Sequence, residues 1–276
     1  MPELPEVETT RRSLEPVLTS AVITGVTVAR PRMLRRQVNP SDFSRRLLNQ
    51  EIRAVGRHGK FLMTTLDNDI VWVTHLGMSG RISLAQPTDA LVPHSNVVVS
   101  LDSGIEFRFI DPRTFGFVAA LTPEELQASS MGRLGRDALT DLPRTNQLVQ
   151  LLAGRQAPMK ALLLDQNMLA GIGNIYADEA LHRAAISPLR SGGSLEHDEV
   201  AALRKAIRET LQHALKYGGT SLDDLAYLLP DGRTGDYTKR LQAYGREGEH
   251  CHRCGAAMVK NIIRGRSSTW CPDCQV

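Results

Sequence analysis

Residues 131–143 read MGRLGRDALTDLP. Two glycines, a closing proline and a scatter of polar residues leave no period of either kind, and the pattern on its two sides is different. Upstream, AVITGVTVAR (21–30), KFLMTTL (60–66), DIVWVTHLG (69–77), NVVVSL (96–101) and IEFRFI (105–110) are short β-rich runs. The turn-forming LDNDI (66–70) and LDSGI (101–105) join them in pairs. Downstream, TNQLVQLLAG (145–154), PMKALLLDQ (158–166), NIYADEALHRAA (174–185) and SLEHDEVAALRKAIRETLQHALKYGG (194–219) carry a helical period. Ser194 suits the N-cap of the last helix and Gly218 its stop. The fold class is therefore α+β: an antiparallel sheet domain, expected to be a sandwich, followed by a helical one. The expected boundaries are 1–131 for the sandwich, 132–144 for the linker, 145–236 for the helical domain and 237–276 for a small terminal unit.

The chain opens MPELPEVETTRR. Val7, Leu14, Val17 and Leu18 recur at helical spacing, so a helix from Pro5 to Leu18 packs on the sheet, with Pro5 in its first turn and acidic residues at its positive end. Pro2 lies outside that helix. A proline at a free chain start is a secondary amine with a pKa of about 7.7–8.0, unprotonated often enough at neutral pH to attack carbon.

Composition bounds the partners. With 276 residues, 42% hydrophobic and 23% charged, the chain holds two modest cores. It has no apolar run of membrane-spanning length and no signal-peptide pattern at its start, so an intracellular location without membrane contact is expected. Net charge is only +3, unevenly spread. Residues 1–60 hold eleven basic and six acidic side chains, residues 237–276 seven and three, and the middle fifteen and twenty-one. Two basic ends suit a polyanion-binding surface assembled from separate segments, although solvated faces produce the same count.

The strongest local motif is C-x2-C, sixteen residues, C-x2-C: Cys251, Cys254, Cys271 and Cys274. Four thiolates at this spacing close a tetrahedral zinc site on a β-hairpin, with no open position for catalysis, whereas a redox dithiol needs one pair only. A unit this small buries little, so the metal folds it. Its intervening IIRGRSST (262–269) offers Arg264 and Arg266 to phosphates. In LAGIGNIYADEAL (169–181) two glycines lead to Asn174, a candidate cap presenting amides to an anion, or an ordinary interhelical turn.

MPELPEVET, the Gly-Lys pair at 59–60, HLGMSGR (75–81), DPRTFG (111–116), MKALLLDQNMLAGIGNIYADE (159–179), YGREG (244–248) and the four cysteines keep one order along nearly the whole chain. Together they resemble the formamidopyrimidine-DNA glycosylases, the bacterial enzymes for oxidised guanine. ELPEVET and GNIYADE favour that branch over endonuclease VIII. The resemblance implies a mature chain starting at Pro2, which attacks the damaged nucleotide's anomeric carbon. It makes Glu3 the proton donor and acceptor, and Glu6 a support for the reacting centre. Lys60, His75, Asn174 and Arg266 match phosphate contacts, with Lys60 and Arg266 counted among the catalytic set, and Lys160 and Arg264 join the DNA-binding set. Met78, Arg113 and Phe115 match side chains inserted where the base leaves. A helix-two-turns-helix element surrounds Asn174. A monomer with one structural zinc is implied, acting on damaged double-stranded DNA laid across the two domains in a bacterial cytoplasm, at the nucleoid. A non-catalytic clamp would keep the same contacts; intact Pro2 and Glu3 favour the enzyme.

Two departures stand out. Thr234-Gly235-Asp236-Tyr237 replaces the usual Pro-Gly-Tyr-Phe in the loop over the flipped base, which leaves the lesion preference open. Thr114 sits between Arg113 and Phe115 where a second arginine is familiar.

Overall fold

The computed structural model describes residues 2–222 and 227–276. Met1, whose removal the resemblance implies, lies outside them. The chain packs as two units, 1–133 with 217–238, and 134–216 with 239–276.

The first unit begins with α1 (Leu4–Leu18), close to the expected span. Its strands are β1 (Ile23–Val28), β2 (Ile52–His58), β3 (Phe61–Leu66), β4 (Val71–His75), β5 (Arg81–Ala85), β6 (Ser95–Leu101), β7 (Glu106–Ile110) and β8 (Phe117–Leu121). They form two antiparallel four-stranded sheets, ordered β1-β6-β7-β5 and β2-β3-β4-β8. The inner faces share one core, in which Val55, Leu62 and Trp72 of one sheet meet Val97, Val99 and Phe107 of the other. Trp72 and Phe107 lie edge to face, centroids 4.8 Å apart. Val7, Leu14 and Leu18 of α1 join that core, which fixes where the chain's start sits. Two short helices, α2 (Pro40–Leu47) and α3 (Pro123–Ala128), flank the sheets. Arg46 of α2 pairs with Glu125 of α3.

In the second unit β9 (Arg136–Asp137) runs parallel to β10 (Leu169–Ala170), so part of the expected linker belongs to this unit's structure. Its helices are α4 (Thr145–Leu152), α5 (Met159–Leu164), α6 (Asn174–Ala184) and α7 (His197–Lys216). The apolar face of α7, from Val200 through Leu203, Ile207 and Leu211, is buried in the unit. Ser194 lies in a short 3-10 turn three residues before α7, and Gly218, at φ +72°, follows its end. The chain finishes in the hairpin β11 (Val259–Ile263) and β12 (Arg266–Trp270).

Two boundaries differ from the sequence expectation. Residues 217–236 pack with the sandwich, and the four-cysteine segment packs with the helices as one unit. Among the described residues no helix is long and apolar enough to cross a membrane.

Candidate active site and nucleic-acid interface

Pro2 and Glu3 are buried at the start of α1, Glu3 being 1% exposed. One oxygen of Glu6 accepts the Glu3 amide at 2.7 Å, half of a capping box that satisfies a helix-start donor. The other accepts the amide of Thr220, also at 2.7 Å. Gly219 makes this approach possible: at φ +82°, an added Cβ would lie 2.6 Å from Glu6 Oε1. The Tyr227 hydroxyl reaches the carbonyls of Glu6 and Gly218, each at 3.3 Å. Tyr237 and Asp236 close the segment by donating their amides to the Gly219 and Tyr217 carbonyls. The stretch carrying the Asp236 departure is thus stitched to the chain's first helix, with the Asp236 side chain exposed. Residues 223–226 of the same loop lie outside those described.

Lys60 follows Gly59, at φ +56°, in the turn between β2 and β3. Glu8 holds that turn to α1. Its buried carboxylate accepts from Arg11 at 3.0 Å, Arg12 at 2.8 Å and Arg57 at 3.2 Å, and Arg57 also donates to the Gly59 carbonyl at 2.8 Å. Burial pushes the Glu8 carboxyl up, but the three guanidiniums outweigh it and hold it below the usual range.

His75 ends β4, its ring 4.7 Å from Phe61 and stacked 5.4 Å from Phe117. Desolvation, helped by the charges of Lys60, Arg35 and Arg36, lowers its pKa to about 4. The imidazole is therefore neutral at pH 7. Its Nδ1 accepts the Gly77 amide at 3.1 Å, which assigns the ring proton to Nε2 and makes that nitrogen a donor. Met78 is half-buried, whereas Arg113 and Phe115 are exposed, Phe115 by 43%. The Arg113 guanidinium lies 4.9 Å over the Phe115 ring, so the two side chains stand together at the loop surface.

In the second unit, α6 organises the cysteine hairpin. Asn174 is the first residue of α6 and Gly173 occupies the cap position, which corrects the capping role expected for Asn174. Asn174 Nδ2 faces the Ser267 hydroxyl at 3.4 Å, and its buried Oδ1 has no hydrogen-bond partner among the described residues. One turn on, Asp178 accepts the Ser268 hydroxyl at 2.5 Å and the Thr269 amide at 3.1 Å. Glu179 accepts the amides of Gln242, Ala243 and Tyr244, and His182 Nε2 lies 3.6 Å from Cys251 Sγ. Positions 174, 178 and 182 form one stripe along the helix, and each meets a different part of the hairpin segment.

Lys160 is the second correction. It is fully buried, with Nζ 2.7 Å from Asp178 Oδ1 and 2.8 Å from the Asn174 carbonyl. An ammonium enclosed this way cannot touch a phosphate; it fixes the start of α6 and the carboxylate that holds the hairpin. Arg264 and Arg266 flank Gly265 at the exposed hairpin turn, Arg264 in the left-handed region at φ +46°.

The four cysteine sulfurs lie within 4.8 Å of one another, with Cys254–Cys271 at 3.4 Å and Cys251–Cys274 at 3.9 Å. Tetrahedral thiolate coordination at about 2.3 Å places sulfurs about 3.8 Å apart, so the donor set fits a metal ion. The cluster beneath it is only Ala243, Cys251, Met258 and Cys271 with two neighbours, too few to order the hairpin by burial.

A β-sandwich that buries Pro2 and Glu3 at the start of its first helix, and a helical unit that carries a metal-fitted cysteine hairpin, together define a two-unit α+β class of protein. Residues 1–118 match the family model of the formamidopyrimidine-DNA glycosylase N-terminal domain, and residues 134–225 that of the formamidopyrimidine-DNA glycosylase H2TH domain. The formamidopyrimidine-DNA glycosylase of Chloroflexus aggregans is 44% identical over 277 residues, covering 100% of this chain and 99% of the relative. That of Mycolicibacterium smegmatis is 42% identical over 280 residues, covering 100% and 97%. The crystal structure of the MutM (Fpg) protein of Thermus thermophilus superposes with TM-score 0.88 at 37% identity, over 99% of this chain and 98% of that one. Lactococcus lactis Fpg in complex with DNA containing an abasic site gives 0.90 at 30% identity, over 99% of both. The chain belongs to the formamidopyrimidine-DNA glycosylase family. It is a DNA glycosylase of base excision repair.

Proposed function

We propose that this enzyme removes oxidised purines, 8-oxoguanine and formamidopyrimidines, from duplex DNA and then cleaves the strand as an AP lyase. The observation that carries the reading is Pro2-Glu3 at the start of α1, with Glu6 bonded to both Glu3 and Thr220. With Met1 removed, the Pro2 amine forms a bond to C1′ while the glycosidic bond breaks and the base departs with its electron pair. Loss of the amine proton and opening of the sugar ring give an iminium, and Glu3 moves the protons at the sugar. The iminium acidifies the C2′ hydrogen, so that elimination breaks first the C3′–O and then the C5′–O bond.

Extruding a nucleotide costs a few kcal/mol of stacking and pairing. Met78, Arg113 and Phe115 fill the space it leaves: an adaptable thioether, a guanidinium for the orphaned base and an aromatic wedge. Lys60, neutral His75 through Nε2–H, Asn174, Arg264 and Arg266 hold phosphates. The cysteine set takes zinc, a structural ion that orders the hairpin bearing both arginines. The protein works as a cytoplasmic monomer.

Borohydride trapping tests the reading on a duplex with one 8-oxoguanine opposite cytosine, beside undamaged and abasic duplexes. A covalent adduct mapping to an N-terminal Pro2, lost in Pro2→Gly, is expected. Tight duplex binding with no adduct on any of the three would mean a clamp without chemistry.

A further inference from the structure

The geometry points to Asp111 as the positioning residue that couples the Met78 loop to the Arg113–Phe115 loop, so that the three inserted side chains enter DNA together. Asp111 is fully buried at the end of β7. Its Oδ1 accepts the Ser79 hydroxyl at 2.7 Å and the Arg113 amide at 3.2 Å, and its Oδ2 accepts the Gly116 amide at 2.7 Å. One carboxylate therefore holds the residue beside Met78 and the amides on both sides of Thr114 and Phe115. Asn96 Nδ2 in turn donates to the Asp111 carbonyl at 2.7 Å and anchors it to β6.

The loops also touch through their backbones. Gly77 is at φ +65°, and a Cβ there would sit 2.3 Å from the Gly116 nitrogen and 2.4 Å from the Phe115 carbonyl carbon. Neither loop can shift by a side chain's width without the other. Thr114 adds a strained element. It is at φ +52°, a region that β-branched residues rarely adopt, and such residues persist only where their surroundings over-determine them. Here the surroundings are the Asp111 carboxylate, which takes the flanking amides, and Arg35, which donates to the Phe115 and Gly116 carbonyls at 2.6 and 2.5 Å. The departure from the familiar arginine is thus absorbed by a turn that is clamped on its amide and carbonyl sides.

The inference rests on the reading of Met78, Arg113 and Phe115 as inserted side chains. Its test separates insertion from chemistry. Stopped-flow fluorescence of 2-aminopurine beside an 8-oxoguanine opposite cytosine reports extrusion, which needs the wedge. Borohydride trapping on a single-stranded abasic oligonucleotide reports Pro2 chemistry, which does not. Asp111→Asn and Ser79→Ala are each expected to slow extrusion about tenfold or more, the effect of losing one charge-assisted hydrogen bond, with single-strand trapping within about twofold of the parent protein. Because Ser79 acts through the Met78 loop, Met78→Ala in the Ser79→Ala background should cost less than the product of the two single effects.

Extrusion at the parent rate in both variants would overturn the coupling, as would fully multiplicative effects of Ser79→Ala and Met78→Ala. If Asp111→Asn loses single-strand trapping as well, its fold is damaged and the Ser79→Ala results decide between the same outcomes. A parent protein that forms no adduct on either DNA would instead refute the glycosylase mechanism, and the coupling would fall with it.

Discussion

The sandwich unit and the hairpin unit solve the same problem with different means. Each must hold cationic or apolar side chains on a loop, where backbone groups are unpaired and few apolar contacts are available. The sandwich has a large shared core, and its loops hang from buried carboxylates anchored in that core: Glu6 and Glu8 on α1, Asp111 after β7. The hairpin has almost no core of its own. It depends on a metal-fitted cysteine set and on the polar stripe of α6. In both units the backbone amides of the loop are received by carboxylates on a rigid element. Only the source of that rigidity differs.

Removing the metal should break the comparison most completely. Treatment with a chelator is expected to disorder residues 251–274 and abolish duplex binding, while trapping on single-stranded abasic DNA persists, because among the described residues the four-cysteine group that fits a metal lies in the other unit. NMR of the two units with and without metal checks this directly, and a hairpin that stays ordered after verified metal loss would give the α6 stripe the larger share.

Next in size is Asp178→Ala, which leaves the Lys160 ammonium buried without its carboxylate and strips the hairpin of two bonds. A loss of about 3–5 kcal/mol in the second unit is expected from denaturant unfolding. Glu8→Gln is smaller, about 1.5–3 kcal/mol, since it removes charge from bonds to Arg11, Arg12 and Arg57 and keeps the shape. Glu8 also has a pH signature: its lowered carboxyl contributes stability above its ordinary value near 4.5 that is lost as pH falls, and Glu8→Gln should remove that part of acid denaturation.

At neutral pH the smallest effect belongs to His75, because it is confined to acid conditions. Its pKa is depressed from 6.5 to about 4, so an unfolded chain takes up a proton that the folded chain refuses. Its contribution to stability is complete above pH 6.5 and declines as pH falls toward 4, and His75→Gln should flatten the melting-temperature profile across that window.

Much of this was legible in local sequence. Alternation found five of the sandwich strands, helical spacing found α1 and α4 to α7, and the cysteine spacing found the hairpin. The strands that escaped, β2, β5 and β8, are the ones whose runs mix arginine, glycine or alanine with few β-branched residues. What no local pattern carries is a bond across distance. The return of 217–238 to the sandwich hangs on Glu6 and Thr220, and nothing near either announces the other. Lys160 sits in a motif that resembles a DNA contact, yet its partner is a carboxylate on the next helix; Asp178, Glu179 and His182 read as an ordinary helix surface until the hairpin lies against them. A buried Asp at position i with a Lys eighteen residues before it has no periodic signature.

The bond from Glu6 to Thr220 also sets an order in time. The two residues are 214 apart, so at about 5–20 residues per second a ribosome needs roughly 10–40 s to supply the amide that the first helix awaits. The sandwich's strands are all synthesised well before then, but the end of the chain that emerges first is finished late. A nascent chain released early would carry its first helix on an incomplete support, so the start of the chain is finished only after α4 to α7 of the second unit have been made, and before the cysteine hairpin is.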